Sequence, residues 1–299
     1  MEQKSDIYTR VTDKIIADLE KGVKPWHMPW NTQHITGRIT KPLRHNGQPY
    51  QGVNIILLWA ASVTQGYGTN IWMTFKQAKE LGAHVRKGAK GEPVVYANTI
   101  KKTETDNDGD EVDVTIPFMK GYTVFNVEQI EGLPGHYYHT PEPVNPGIAR
   151  DDALERFFAA TRADIRHGGT RAYYSKLSDH VQMPPLECFR DAESYYATLA
   201  HEMTHWTMHE DRLNRHFGRK TFGDEGYAHE ELVAELGAAF LSAELGITPE
   251  TREDHAAYIN SWLEVLRRDK RAIFSAAAHA QRAVEHLQSY QLETAGDAA

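Results

Sequence analysis

The sequence predicts an α+β protein in two parts. An amino-terminal α/β domain is expected over residues 1–130, and a mostly helical domain with a small sheet over residues 150–299. Three observations predict it. The hydrophobic period changes from helical to alternating after the turn "RKGAKGEP". Residues 131–149, "EGLPGHYYHTPEPVNPGIA", hold four Pro and three Gly and read as a linker. Helical periodicity then dominates from Asp191 to the end. A chain of 299 residues is long enough for two ordinary domains.

The elements follow in order. Ser5–Glu20 reads as a helix capped by Ser5, with Ile7, Val11, Ile15, Ile16 and Leu19 on one stripe and Gly22 as its stop. "KPWHMPWNTQ" is irregular. Asn54–Gln65 is a buried helix, and Thr74–Leu81 a third, ended by Gly82. "VVYANTI", "VDVTIPF" and "GYTVFNV" read as strands. The acidic "TETDNDGDE" joins the first two. Glu104, Asp106 and Asp108 before Gly109 resemble a calcium loop, but Thr115 stands where the closing Glu belongs, so a solvated hairpin turn is expected. The second half opens with a helix over Asp151–Thr161, then two short strands, "RAYYS" and "HVQMP". A helix from Asp191, another over Glu225–Leu245 and a helical Pro249–Gln291 complete the chain, with a frayed tail.

Composition excludes several classes. The single Cys188 permits no internal disulfide, reads as a buried inert thiol and suits a reducing compartment. The charged start "MEQKSDIYTRVTDK" lacks the apolar core of a signal peptide. The longest apolar run, Val53–Ala61, is too short to span a bilayer. A cytoplasmic location with no membrane partner is therefore expected. The net charge of −8 is unevenly spread: residues 1–100 carry 13 Lys/Arg against 7 Asp/Glu, a net of +6, and the remainder carries −14. Such asymmetry points the first half at a polyanion. Four of the six Trp lie in its first 72 residues. Trp59 belongs to the apolar run. Trp26, Trp30, Tyr50 and Trp72 are candidates for stacking on unpaired bases. Lys41, Arg44, Lys76, Arg86, Lys87 and Lys90, with Lys24 and Arg38, are candidates for phosphate contact. Single-stranded nucleic acid fits better than duplex, because no helix is strongly basic on one face.

The chemistry lies in "LAHEMTHWTMHE", Leu199–Glu210. His201 and His205 are one helical turn apart, so both imidazoles can converge on one ion at about 2.0–2.1 Å. Glu202 is rotated about 100° from His201 and can serve as general base without competing for the ion. Chance also produces this pattern on ordinary polar helix faces. Its apolar neighbours Leu199, Ala200, Met203 and Trp206 half-bury the helix, and buried histidines want a partner. His209 is excluded as a third ligand, since eight residues rise about 12 Å. Glu231 and Glu235 lie one turn apart in "HEELVAELGAAFL", a helix whose Ala234, Gly237, Ala238 and Ala239 permit close approach. Glu231 is assigned as ligand and Glu235 as the partner of a histidine's outer nitrogen, with the swapped assignment open; Glu230 is read as solvated. Tyr227 and His229 are the nearest donors for an oxyanion, Tyr227 being the candidate catalytic group. The strand His180–Pro184 is expected to be a sheet edge able to hold an extended peptide. Two histidines and a glutamate suit Zn²⁺, with Mn²⁺ and other divalent ions competing.

Five segments give the chain a resemblance: "VTDKIIADLEKGVKPWHMPW", "QPYQGVNIILLW", "WMTFKQAKELGAHVRKGAKGEPVVY", "LAHEMTHWTMHEDRLNR" and "EELVAELGAAFLSAELGI". Together they resemble the ArdC-like antirestriction proteins of conjugative plasmids. The resemblance implies a domain that binds single-stranded DNA, followed by a zincin-like metallopeptidase domain. It also implies protection of incoming plasmid DNA from host restriction during conjugation, with a host protein as possible substrate. In related zincins the pattern E-x-x-A-[DE] follows H-E-x-x-H. Here it reads Glu231-Leu-Val-Ala234-Glu235, which supports Glu231 as ligand and leaves the longer Glu235 where an Asp is common. Two other functions compete: a DNA-shielding protein with a silent or structural metal, and a weaker one, a metal-dependent nuclease.

Overall fold

The computed structural model describes residues 6–21, 41–105, 111–138, 150–169, 171–189, 191–218, 225–247 and 255–296. Helix α1 (Ile7–Glu20) buries the predicted stripe Val11, Ile15, Ile16 and Leu19. Its cap is Asp6, whose Oδ1 accepts from the backbone of Tyr8 at 2.7 Å and Thr9 at 3.1 Å; Ser5 lies outside the described residues. After β1 (Leu43–Arg44) comes α2 (Val53–Gln65), the apolar run, whose Ile55, Ile56, Leu58 and Trp59 are wholly buried. β2 (Ile71–Met73) leads into α3 (Phe75–Glu80), opened by a Thr74/Gln77 capping box and followed by Gly82 at φ +75°.

β3 (His84–Val85), β4 (Glu92–Thr105), β5 (Glu111–Asn126) and β6 (Ile130–Glu131) complete the amino-terminal half. One sheet runs β1-β2-β5-β4, and β3 pairs with β6 separately. The two strands expected at "VDVTIPF" and "GYTVFNV" are one continuous strand, β5. Gly121 does not break it. It clears space for α1, since a Cβ there would lie 2.8 Å from the Ile7 Cδ1. The heart of the acidic turn, 106–110, lies outside the described residues, as do Trp26, Trp30, Lys24 and Arg38.

The expected linker begins too early. Leu133 and Tyr137, within it, are buried with Met73, Ala78, Val127 and Ile130 in a small second core. Those apolar side chains hold the chain to the sheet despite its Pro and Gly. Only residues 139–149 of the expected linker are left, and they lie outside the described residues.

The second half opens with α4 (Asp152–Ala160), capped by Asp151. A three-stranded sheet follows: β7 (Asp164–His167), β8 (Tyr173–Ser175) and β9 (His180–Met183), in the order β7-β9-β8. Sequence reading misses β7, "DIRH", because its polar residues hide the alternation. It also misplaces β9, which is the central strand and pairs on both sides. The edges are β7 and β8, and β8 packs on the helix below. That helix is α5 (Ala192–Trp206), capped by Asp191, with the Phe189 ring 5.3 Å from that of Tyr195. α6 (Glu225–Leu245), α7 (His255–Arg268) and α8 (Ala272–Gly296) form the bundle. The helical carboxy terminus is therefore two helices, and the second continues through the expected frayed tail to Gly296.

One hydrophobic core runs through both halves. It joins Ile15, Leu58 and Trp59 to Phe240, Leu266 and Ile273. The Trp59 and Phe240 rings lie 6.1 Å apart. Polar ties cross the same boundary: the Thr12 hydroxyl donates to the Lys270 carbonyl at 2.6 Å, and Lys270 and Arg267 pair with Asp13 and Glu20. No described helix is long and apolar enough to cross a membrane.

Gly237 sets the spacing of α5 and α6. A Cβ built there would sit 2.4 Å from the Thr204 Cγ2 and 2.7 Å from its Oγ1. Thr204 is fully buried and cannot swing away. Gly237→Ala is therefore expected to destabilise the protein by about 1–3 kcal/mol in urea unfolding, overpacking being the cause. Adding Thr204→Ala should return part of that loss. An unchanged midpoint in Gly237→Ala would contradict the close contact.

Candidate metal centre

α6 has no polar face. It is buried on most sides, so its carboxylates Glu230, Glu231 and Glu235 must have partners. α5 supplies them. His201 and His205 share one face of α5, and their rings lie 4.9 Å apart and nearly perpendicular. The His201 Nε2 lies 3.7 Å from one Glu231 oxygen, and the His205 Nε2 lies 3.6 Å from the other. One ligand atom from each of the three residues lies within 4.8 Å of the others. Two ligands on a tetrahedral ion at about 2.0–2.1 Å stand about 3.4 Å apart. The three side chains therefore fit one divalent cation with a small inward adjustment, and the donor set of two imidazoles and one carboxylate suits zinc-like ions.

The outer nitrogens are held as well. The His201 Nδ1 lies 3.6 Å from Glu235, which is ion-pair distance and long for a hydrogen bond. The His205 Nδ1 lies 3.3 Å from Glu230. Both carboxylates favour a proton on Nδ1, so with an ion bound each Nε2 would be free to face it. Glu235 thus stands beside the outer nitrogen of His201 without bonding it. Glu230 is 2% exposed rather than solvated. Arg215, equally buried, holds it with contacts of 2.7 and 3.2 Å. The same guanidinium donates to the Thr207 hydroxyl at 2.6 Å and the Thr204 carbonyl at 2.7 Å. Arg215 therefore ties the end of α5 to α6 through the carboxylate that orients His205. Sequence reading missed both residues. The available signal was the missing polar face of α6, which leaves Glu230 no route to water.

Electrostatics follow. Burial alone would push His205 down, but Glu231 and then Glu230 override it and raise it to about 10. Burial would raise Glu231, and the two imidazoles reverse this and hold it well below the carboxylate range. Glu230 is lowered in the same way by His205 and Arg215 against its own burial.

The other expected residues fall into place or out of it. Glu202 is 3% exposed on α5, between the two histidines. Tyr227 is half-buried on α6, one turn before Glu231 and on the same face. His209 is outside the ligand group and pairs with Asp211. His229 lies two residues from Glu231, hence on another face, with its ring 4.2 Å from that of Phe217. Cys188 is exposed, contrary to the buried thiol expected. Among the candidate DNA contacts, Lys76, Arg86, Lys87 and Lys90 are exposed. Trp72 and Tyr50 are 0% and 3% exposed, so neither ring is open to a base. Lys41 is buried against Glu244, and the Arg44 guanidinium packs 5.4 Å from the Tyr50 ring. β2 lies inside its sheet, and that placement turns Trp72 into core.

Two outcomes test this geometry. Arg215→Met leaves Glu230 buried without its cation, so stability should fall by about 3–5 kcal/mol in urea unfolding. Arg215→Met with Glu230→Leu should lose markedly less. The second concerns protons. Without metal, the raised His205 contributes stability that is complete below its ordinary 6.5 and fades as pH rises through about 10. The lowered Glu231 contributes stability present above its ordinary 4.5 and lost as pH falls below it. A ligating histidine must be deprotonated, so cation binding near neutral pH should release about one proton, and affinity should weaken about tenfold per unit of acidification. Calorimetry in buffers of different ionisation enthalpy measures this; binding without proton release would contradict the coupled His205–Glu231 pair.

Comparison with known proteins agrees with this architecture. Residues 5–125 match the N-terminal domain of anti-restriction factor ArdC, and residues 152–279 match a zincin-like metallopeptidase family. The chain is 44% identical over 293 residues to the uncharacterized protein y4eC of Sinorhizobium fredii, covering 96% of this chain and 93% of that one. It is 37% identical over 305 residues to a DNA primase TraC of Escherichia coli, but spans only 28% of that protein's length. The metal-free crystal structure of the antirestriction ArdC protein from plasmid R388 superposes with a TM-score of 0.82 at 46% identity, covering 97% of this chain and 99% of that one. Its Mn(II)-bound structure superposes with 0.80 at 45% identity, covering 96% and 98%. That relative's binding of Mn(II) agrees with a divalent metal in this family. Likeness in sequence and fold over nearly the whole of both chains shows that this chain belongs to the ArdC family of antirestriction proteins, with a zincin-like domain as its carboxy-terminal half.

Proposed function

We propose that this protein binds single-stranded DNA through its amino-terminal half and hydrolyses peptide bonds at a zinc site in the other, protecting incoming plasmid DNA from host restriction during conjugation. The observation that carries the catalytic part is the convergence of His201, His205 and Glu231 on one point, beside a buried Glu202. A zinc ion bound there supplies Lewis acidity toward a peptide carbonyl and the water that attacks it. Glu202 accepts the proton of that water and passes it to the departing amine. Tyr227, one turn before the ligand Glu231, offers its hydroxyl to the developing oxyanion. The extended substrate lies along β8, the edge strand next to α5, in place of the central β9. Exposed Lys76, Arg86, Lys87 and Lys90 attract the phosphate backbone.

A second reading has its own support. The metal would neutralise a buried carboxylate and fasten α5 to α6, which stabilises the fold with no chemistry. In that case the protein shields DNA by binding it.

Glu202→Ala separates the two. It should keep the metal and the affinity for single-stranded DNA while lowering hydrolysis of a peptide library by about 10²–10⁴-fold. Peptide hydrolysis at the wild-type rate would remove Glu202 from the mechanism. In matings into a restricting recipient, lost protection with unchanged DNA affinity favours catalysis, and full protection favours shielding. Labelled single strands should stay intact with Zn²⁺ or Mn²⁺; their cleavage would instead support a nuclease.

A further inference from the structure

Burial of Trp72 and Tyr50 removes two of the four rings assigned to the DNA-binding reading, and Trp26 and Trp30 lie outside the described residues. The β4–β5 ribbon offers others. At its base, Val94, Val95 and Val124 enter the core. Asn54 caps the outer edge of β4 there, donating to the Val95 carbonyl and accepting from its N–H, both at 2.8 Å. Farther out the two strands pair with each other, with Tyr96 opposite Lys120, Asn98 opposite Phe118, and Ile100 opposite Ile116. Side chains alternate along a strand, so these six share one face.

That face is exposed and apolar. Tyr96 is 46% exposed, Ile100 54% and Ile116 40%. Large aromatic and aliphatic groups left in water side by side mark a contact surface. The Tyr96 and Phe118 rings meet edge to face, with centroids 6.1 Å apart. Asn98 donates to the Tyr96 hydroxyl, and the Lys120 ammonium lies 5.6 Å from the Phe118 centroid. Both rings are thus braced, and a cation stands beside them.

We propose that this ribbon face is a stacking platform for single-stranded DNA, with Tyr96 and Phe118 each receiving a base and Lys120 a phosphate. The proposal rests on the single-strand reading above and adds the place where bases bind. Rings of this kind on an open β surface stack unpaired bases without selecting among them. Charge complementarity favours this occupant over a protein: the face carries a cation and an amide among its rings, and the stretches 94–102 and 114–124 hold Lys101, Lys102 and Lys120 and no Asp or Glu. A purely hydrophobic protein contact needs neither.

Fluorescence anisotropy with a labelled oligothymidylate of about twenty nucleotides tests it on the full chain. Tyr96→Ala with Phe118→Ala should weaken binding at least about tenfold, with the fold kept, because Tyr96 is exposed and Phe118 only half-buried. The slope of log K against log salt should stay the same. Lys120→Ala should instead make that slope shallower by about 0.7. Replacing both rings by Leu should not restore affinity, and exchanging them as Tyr96→Phe with Phe118→Tyr should. Wild type that binds while the double Ala variant matches it within twofold overturns the platform and leaves single-strand binding standing. Wild type that fails to bind overturns both. Full affinity in the Leu pair, or a wild-type dimer that the Ala pair dissociates with DNA affinity unchanged, would make the face a protein contact and overturn stacking.

Discussion

A carboxylate can be buried only where something neutralises it, and the α5–α6 pair buries four: Glu202, Glu230, Glu231 and Glu235. The surroundings of the site follow from that need. Arg215 answers Glu230, and the two histidines answer Glu231 from one side and Glu230 and Glu235 from the other. Glu231 still sits between two imidazoles that repel each other when both are protonated. A divalent cation satisfies all three at once and displaces the proton of His205. The demand for a metal is therefore written into the desolvation of the helix pair.

That demand reaches the rest of the fold through spacing. The two helices meet closely because Gly237 accepts Thr204 against its backbone. α6 in turn carries Phe240 and Glu244 to the other half, where they meet Trp59 and Lys41. The amino-terminal helix α1 is fastened to the α7–α8 corner by Thr12, Asp13 and Glu20. The candidate metal centre and the amino-terminal half therefore share one packed body.

Much of this was legible in the sequence. His201, His205 and Glu231 could be grouped in advance because helical periodicity fixes which residues share a face, and the structure brings the three together. The helices were legible for the same reason, with Asp191 read as a cap and Asp151 and Thr74 placed as first residues where the structure makes them caps. Short strands were harder. β7 has charged and polar residues where alternation is sought, and β2 is only three residues long. Nothing local says that Trp72 turns inward or that β9 lies between two neighbours, because sheet order is set by pairing between distant segments. Glu230 was misread because a glutamate is solvated unless its helix has no wet side, and its cation Arg215 stands 15 residues away. The Pro and Gly of 131–138 pointed to a linker, but Leu133 and Tyr137 anchor that stretch in the core.

Equilibrium dialysis with elemental analysis of the wild type, His201→Ala and Glu231→Ala tests the central claim most directly. The account predicts one tightly held divalent ion per wild-type chain and its loss in both variants, with circular dichroism preserved. A wild type that holds no ion, or a Glu231→Ala protein that keeps it at full affinity, would contradict a cation held between α5 and α6.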